Sequence, residues 1–358
     1  MERRRAIRRG RGAVINPAGR YEPYRVVPLD EDGADRVEEE APESLPTTVT
    51  PERTRTIITR NDSPDVPFDR SINPYRGCEH GCVYCFARPT HAYLGLSPGL
   101  DFETRLFSKP AAPELLGREL ARPGYRCEAI ALGANTDPYQ PVERRLGITR
   151  RILKVLADHR HPVSVVTKSD LVLRDLDILA PMAAEAIACV LVSVTTLDRA
   201  LARRMEPRAA SPGRRVETIR RLAGAGVPVG VLASPMIPGL NDGELERILE
   251  TCAGAGACSA GYILLRLPLE LAQMFPAWLR EHYPLRASRV LHLVREAHGG
   301  RLYDGAYGSR MTGSGPYAEL LRRRFDVARR RCGLAERPAP LDVTRFRVPP
   351  RRGGEAAG

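Results

Sequence analysis

From about residue 56 onward, short apolar runs alternate with longer stretches in which apolar residues recur at helical spacing. The apolar runs are bounded by glycine and proline and predict strands, whereas the longer stretches predict helices. The predicted strands cover residues 71–75, 128–132, 163–167, 188–194, 227–233 and 262–267. The predicted helices between them cover residues 113–121, 149–159, 175–186, 213–225 and 243–255.

Six strand–helix units in succession predict an α/β fold with a parallel sheet. The pattern alone leaves open whether that sheet closes into a barrel. Beyond residue 269, further helices are predicted around Met274 to Leu279, at 289–298 and at 317–331, and these should cap the sheet. The predicted organisation is therefore an extension at 1–55, a barrel-like unit at 56–285, a helical segment at 286–335 and a loose tail at 336–358.

The extension combines Gly, Pro and Arg with an acidic run at 30–43, and it shows little periodicity. Such a composition predicts disorder, with the arginine-rich start lying outside the barrel core. Arginine occupies six of the first eleven positions, and six more arginines lie between Arg322 and Arg331. With a net charge of +12, these clusters suggest DNA or RNA as a partner; the alternative is solvated tails that reflect a compositional bias.

An apolar content of 43% is sufficient for a substantial core, but no apolar run is long enough to span a bilayer. The first residues, which are rich in arginine, lack the apolar centre of a signal peptide. A cytoplasmic protein without membrane contact is expected. Five of the eight cysteines are scattered and are expected to be buried or free thiols: Cys127, Cys189, Cys252, Cys258 and Cys332.

The other three cysteines, Cys78, Cys82 and Cys85, fall within eight residues, and Tyr84 precedes the last of them. Three thiolates can hold a [4Fe–4S] cluster by three irons, which leaves one iron open for another ligand. Zinc is the alternative, but it requires a fourth ligand. His80 and His91 lie nearby without giving a familiar zinc-finger spacing.

This Cys-x3-Cys-x2-Cys motif resembles the signature of the radical S-adenosylmethionine (radical SAM) superfamily. The flanking sequence from Asn73 to His91 resembles the spore-photoproduct-lyase-like branch, and within it a bacterial subgroup of unassigned substrate. The resemblance implies a partial (β/α)6 TIM-like barrel whose reactive centre lies at the carboxyl ends of the strands. It also implies a [4Fe–4S] cluster, S-adenosylmethionine, and an electron donor such as ferredoxin or flavodoxin.

The same resemblance places a cofactor site at the strand ends. Eight residues are expected to contribute to it: Tyr84, Asn135, Thr136, Lys168, Ser193, Thr195, Glu206 and Met236. Several of them also have a structural interpretation. The turn at Asn135 and Thr136 departs from the Gly-Gly-Glu pattern common in the superfamily and could be a plain structural turn before Pro138. Lys168 could be a surface lysine, the hydroxyls of Ser193 and Thr195 could bond to backbone in the core, and Glu206 could form a surface ion pair with Arg208. Arg266 is a candidate substrate contact at the end of the sixth strand.

One residue expected of the resemblance is absent. Spore photoproduct lyases use a cysteine as hydrogen donor, and the resemblance places it in the turn where this chain has Ala134, Asn135 and Thr136. Cys127 belongs to the opposite end of that strand. The sequence therefore favours a radical SAM enzyme with an unassigned substrate, for which nucleic acid is the leading candidate. The alternatives are lyase-type DNA repair and a non-catalytic iron–sulfur or zinc protein that binds nucleic acid.

Overall fold

A computed structural model describes residues 10–21 and 45–350 of the chain. Within these residues the strands are β1 (Thr48–Pro51), β2 (Thr59–Arg60), β3 (Arg70–Ile72), β4 (Tyr75–Arg76), β5 (Arg105–Ser108), β6 (Ile130–Leu132), β7 (Val163–Thr167), β8 (Ala188–Ser193), β9 (Val229–Met236) and β10 (Ser259–Leu264). The helices are α1 (Leu100–Thr104), α2 (Ala112–Leu120), α3 (Glu143–Leu146), α4 (Ile148–Asp158), α5 (Leu176–Ala184), α6 (Arg199–Met205), α7 (Pro212–Gly224), α8 (Leu245–Gly254), α9 (Leu271–His282), α10 (Pro284–Glu296) and α11 (Gly315–Arg331).

Six strands form a continuous parallel sheet in the order β10-β9-β8-β7-β6-β3, and the short β2 pairs antiparallel with β3 at one edge. Each of the six corresponds to one of the predicted strands. Because β10 and β3 lie at opposite ends of the parallel series, the sheet is an incomplete barrel with an open seam. The predicted partial barrel is confirmed.

Helical periodicity explains how the outer layer attaches to this sheet. In α4, for example, Ile152, Leu153 and Leu156 are fully buried, while Lys154 on the same helix faces solvent. The strands supply mainly β-branched residues to the other side of the same core, as Val190 and Val192 do in β8. The core therefore lies between the sheet and the helices, and the loops at the strand ends remain available for chemistry.

The extension was expected to be disordered, and that expectation is wrong for part of it. Residues 10–21, which we call the strap, lie against the barrel, with Ala13 only 5% exposed. The strand β1 joins β5 and β4 in a small second sheet. Long-range partners rather than local periodicity order these segments. The arginines before residue 10 and the acidic run at 30–43 lie outside the described residues.

The helices α9, α10 and α11 occupy the positions predicted for the C-terminal cap. The tail after residue 335 was expected to be loose, which is wrong for its central part. The amide of Asp342 donates to the carbonyl of Ala186 at 2.9 Å, and the Phe346 ring packs 5.4 Å from that of Tyr125. Residues 351–358 lie outside the described part of the chain. In the described residues, no helix combines the length and the apolar character required to cross a membrane.

Candidate active site

The three clustered cysteines lie in one loop that follows β3 and β4, at the carboxyl end of the parallel sheet. Cys78 and Cys82 are buried and Cys85 is half-buried. The loop turns tightly, since the amide of Cys85 donates to the carbonyl of Cys82 at 3.2 Å. It is also attached to α6, because the amide of Val83 donates to the carbonyl of Met205 at 3.0 Å. The fold thus gathers three thiols at the position predicted for a reactive centre.

These three thiols are a donor set that can hold an iron–sulfur cluster by three of its irons. Burial raises the pKa of Cys78 well above its usual range and that of Cys82 to about 12, so bound metal would be needed to hold the thiolates. Among the described residues, no three His, Cys, Asp or Glu side chains converge as ligands of one ion. A cluster does not require such convergence, because each thiolate binds a different iron.

Each histidine named for the zinc alternative has one ring nitrogen engaged within the protein. The Nε2 of His91 lies 3.0 Å from the carbonyl oxygen of Arg105, and its ring packs against Phe102. His80 is also buried, and its Nδ1 lies 3.3 Å from Oδ2 of Asp137. The loop histidines therefore serve as packing and hydrogen-bonding groups.

Asp137 connects the cysteine loop to the ends of β6 and β7. Its carboxylate accepts hydrogen bonds from the amide of Lys168 at 2.7 Å and from the Thr167 hydroxyl at 2.8 Å, and it faces His80. Burial pushes the pKa of Asp137 upward, but His80 and the backbone N–H groups of Lys168 and Tyr139 lower it to about 2. Asp137 is thus an ionised anchor that fixes the backbone at Lys168.

A second buried network surrounds Glu206. Its carboxylate accepts hydrogen bonds from the Tyr84 hydroxyl and, at 2.7 Å, from the Thr195 hydroxyl, while Arg215 forms an ion pair with it. Burial would raise the pKa of Glu206, yet Arg215, Lys168 and the Tyr84 hydroxyl lower it to about 2. The surface pair of Glu206 with Arg208 is therefore not formed; Arg208 instead pairs with Glu79 at 3.2 Å.

Lys168 stands between these two networks. Its backbone is held by Asp137, and its ammonium nitrogen lies 5.8 Å from the centre of the Tyr84 ring. The side chain is half-buried, and its positive charge contributes to lowering the pKa of Glu206. The structure therefore places a cation beside the cysteine loop, at the end of β7.

Of the other predicted cofactor residues, Asn135 is partly accessible, whereas Thr136, Ser193 and Met236 are buried. Asn135 is half-buried and lines a large cavity at the strand ends, whereas the Thr136 hydroxyl donates to the carbonyl of Tyr75 at 2.9 Å. Ser193 and Met236 are buried at the ends of β8 and β9. Thr136 and Ser193 thus lie at the expected edge of the sheet, with the Thr136 hydroxyl engaged inside the protein.

A buried ion pair anchors the cysteine loop from its outer side. Arg88 is fully buried and donates to the carbonyl of Cys82 at 2.8 Å and to the carboxylate of Glu103 at 2.5 Å. The same carboxylate accepts the amides of Gly12 at 3.0 Å and Ala13 at 2.9 Å in the strap. Glu103 therefore connects the strap, α1 and the cysteine loop.

The strap approaches the loop so closely that glycine is required. A methyl group on Gly12 would lie 1.8 Å from the carbonyl oxygen of Gly81, and Gly81 itself has a φ of +68°. The strap therefore covers the outside of the cysteine loop by direct backbone contact.

Sequence reasoning missed Arg215, Arg88 and Glu103 as parts of this site. Arg215 lies on α7 among several arginines that face solvent, and nothing in its local pattern distinguishes it. Arg88 carried a signal, since it lies three residues after Cys85, although its partner Glu103 is recognisable only in the fold. Each pair closes only when the chain folds back on itself, over 15 residues for Arg88 with Glu103 and over 9 for Arg215 with Glu206.

Comparison with known proteins agrees with this geometry. The family model described as the radical SAM superfamily matches residues 72–252, half of the chain. An uncharacterized protein of Mycobacterium tuberculosis is 37% identical over 288 residues, covering 79% of this chain and 81% of that protein. An uncharacterized protein of Methanocaldococcus jannaschii is 28% identical, covering 60% of this chain and 76% of that protein.

Among solved structures, a spore photoproduct lyase complexed with dinucleoside spore photoproduct is similar in fold. It has 17% sequence identity and a TM-score of 0.55, and the match covers 80% of each chain. A mutant lyase described as having bound AdoMet and dinucleoside spore photoproduct has 16% identity and a TM-score of 0.56 over the same shares. At this identity the likeness concerns the fold.

Proposed function

This chain belongs to the radical SAM superfamily, and we propose that it uses a [4Fe–4S] cluster to cleave S-adenosylmethionine reductively and abstract hydrogen from a nucleic-acid substrate. Family membership makes it an enzyme that uses S-adenosylmethionine and an iron–sulfur cluster. The observation that carries the proposal is the three-cysteine loop at the carboxyl end of β3, beside the cation of Lys168. When bound, the reduced cluster would supply the electron that breaks the C5′–S bond of the cofactor.

The chain's own residues would bind and orient that cofactor. Lys168 would pair with its carboxylate; Asp137 fixes the lysine backbone while the side chain remains half-buried, which supports this role. Tyr84 and Thr195 are held by Glu206 and form a buried wall beside the cysteines. Met236, which is buried at the end of β9, supplies apolar surface at the same edge. The site would thus combine the Lys168 cation with a wall of buried side chains that exclude water.

The experiment is anaerobic reconstitution with iron and sulfide, followed by dithionite and S-adenosylmethionine, with 5′-deoxyadenosine measured by mass spectrometry. Lys168→Met should weaken cofactor binding at least tenfold at unchanged iron content, because a charged pair is lost. Lys154→Met, at an exposed position on α4, is the matched control and should behave like the wild type. If the wild type bound iron and formed no 5′-deoxyadenosine, the proposal would be refuted.

Lyase-type DNA repair is the second candidate, and the fold comparison is the observation that favours it. The position expected for the hydrogen-donor cysteine argues against it. The turn after β6 contains Asn135 and Thr136 instead of a cysteine, and Cys127 precedes that strand at its opposite end. A repair assay on spore-photoproduct DNA separates the two reactions. A non-catalytic zinc or iron–sulfur protein is disfavoured, because the matched family is one of enzymes. Ferredoxin or flavodoxin remains the proposed electron donor.

A further inference from the structure

A cavity at the carboxyl ends of the strands has a volume of about 650 Å³. It opens at the seam of the incomplete barrel, where residues after β3, β6 and β10 meet: Asn73, Asn135 and Arg266. Phe86, the residue after Cys85, forms part of its wall. A molecule in this cavity would therefore lie next to the cysteine loop.

The charged side chains that line the cavity are all positive. Its lining includes five cations, Arg60, Arg76, Lys109, Arg266 and Arg310, and contains no Asp or Glu among the described residues. Two of these cations form ion pairs with carboxylates that are not part of the lining. Arg76 pairs with Glu52 at 2.8 Å, and Arg310 pairs with Asp65 at 2.5 Å. The remaining cations give the wall an excess of positive charge that an anionic ligand would complement.

The cavity also presents aromatic surface beside these cations. The Arg266 guanidinium lies 4.8 Å from the centre of the Phe86 ring, and Phe86 is still 45% exposed. Tyr93, at the rim, is 67% exposed and stacks on Tyr21 of the strap at 5.4 Å. Exposed aromatic rings next to arginines are the combination on which unpaired bases stack while their phosphates are held.

The arginine-rich helix α11 offers a weaker phosphate surface than the sequence suggested. Arg324 is paired with Glu246 at 2.8 Å, and Arg331 is paired with Glu250, both on α8. Part of the charge of α11 is thus used to attach the helix to the barrel. The uncompensated charge next to the cysteines lies in the cavity.

Resting on the proposed function, we infer that this cavity binds a single strand of nucleic acid, with Arg266 and Lys109 on its phosphates and Phe86 stacked against a base. A concave site of this size admits a nucleotide that has left its stack, as chemistry on a base requires. Both cations are half-buried, which strengthens their contact with phosphate relative to fully exposed arginines. The bound nucleotide is held directly beside the loop that carries the radical chemistry.

The test is fluorescence anisotropy of a labelled single-stranded DNA decamer on the reconstituted protein, over a series of salt concentrations. Arg266→Gln and Lys109→Gln should each lower affinity about tenfold at low salt and reduce the slope of log affinity against log salt by about 0.7. Phe86→Ala should lower affinity with little change in slope, since stacking releases no counterion. Arg323→Gln, at an exposed site on α11, is the matched control and should change affinity less than twofold.

Three results would overturn the assignment. They are wild-type affinity in both cavity variants, an equal loss in the Arg323→Gln control, and binding of the mononucleotide dTMP as tightly as the decamer. Thermal unfolding of each variant checks that lost affinity does not reflect lost structure. Wild-type protein that bound the decamer at the cavity but formed no 5′-deoxyadenosine would support this inference while refuting the proposed function, so the two failures are distinguishable.

Discussion

Replacing Glu103 with Gln tests how the cysteine loop is supported. Glu103 and Arg88 are both 0% exposed and lie 2.5 Å apart, so the substitution leaves a buried guanidinium without its counter-charge. Breaking a buried pair in this way costs about 3–5 kcal/mol. The glutamine has one carbonyl oxygen in place of two carboxylate oxygens, so one amide of Gly12 or Ala13 would also lose its acceptor.

That loss is large compared with a total stability of about 5–15 kcal/mol. For a chain of this size it corresponds to a fall in melting temperature of about 10 °C, measured by anaerobic differential scanning fluorimetry. Because Arg88 also holds the Cys82 carbonyl, a thiol reagent should react faster with the cysteine loop of the variant. The matched control is Glu114→Gln on α2, where the side chain is 61% exposed and the expected shift is below 2 °C.

A second variant separates the ion pair from the strap. Deleting residues 2–21 removes the contacts of Gly12 and Ala13 but leaves Arg88 paired with Glu103. We expect a smaller fall in melting temperature than in Glu103→Gln, with a similar increase in thiol reactivity, since the strap covers the loop. If Glu103→Gln melted within 2 °C of the wild type, the pair would not support the loop and this reasoning would be wrong.

Three further predictions follow from the same contacts. Cys85→Ser should lose iron on reconstitution, whereas Cys252→Ser, on α8, should retain it; iron and sulfide analysis measures both. The pKa of Glu206 lies at about 2, below its ordinary 4.5, so its ionised form stabilises the fold above about pH 4.5 and that contribution disappears as the pH falls towards 2. Glu206→Gln should therefore weaken the fall in the free energy of unfolding below about pH 4.5, measured by urea unfolding at several pH values. An unchanged pH dependence would contradict the assignment. Phe346→Ala should destabilise the protein by about 2 kcal/mol, because its half-buried ring packs on Tyr125 and His161; an effect below 0.5 kcal/mol would show that the tail contributes nothing.

The long elements were predictable from sequence because their partners need not be known. Periodicity alone marks α4 or β8, and each was predicted within a residue of its observed bounds. The small sheet of β1, β4 and β5 was not predicted, since strands of two to four residues show no usable period. The cysteine loop was predictable for a different reason, because its chemistry depends on close spacing along the chain.

The supports of the site were hidden from sequence because their energies come from distant pairs. The strap has the composition of a disordered tail, yet Glu103 orders it across about 90 residues of chain. Glu206 directly follows α6 and Arg215 lies on α7, and only their burial turns an ordinary pair of charges into a fixed network. A local pattern reports what one segment prefers, whereas these contacts are decided when two segments meet.

The distribution of charge separates the wall around the cysteines from the cavity beyond it. Next to the cysteines, buried carboxylates have arginine partners: Glu206 with Arg215, Glu103 with Arg88, and Glu79 with Arg208. Such pairs hold their residues rigidly and leave little net charge to attract a ligand. The cavity has the opposite character, since its lining has cations and no carboxylate among the described residues. The protein therefore neutralises charge where it must fix geometry and leaves positive charge in the cavity where the proposed substrate would bind, which is the arrangement expected if a polyanion is presented to a nearly dry reaction centre.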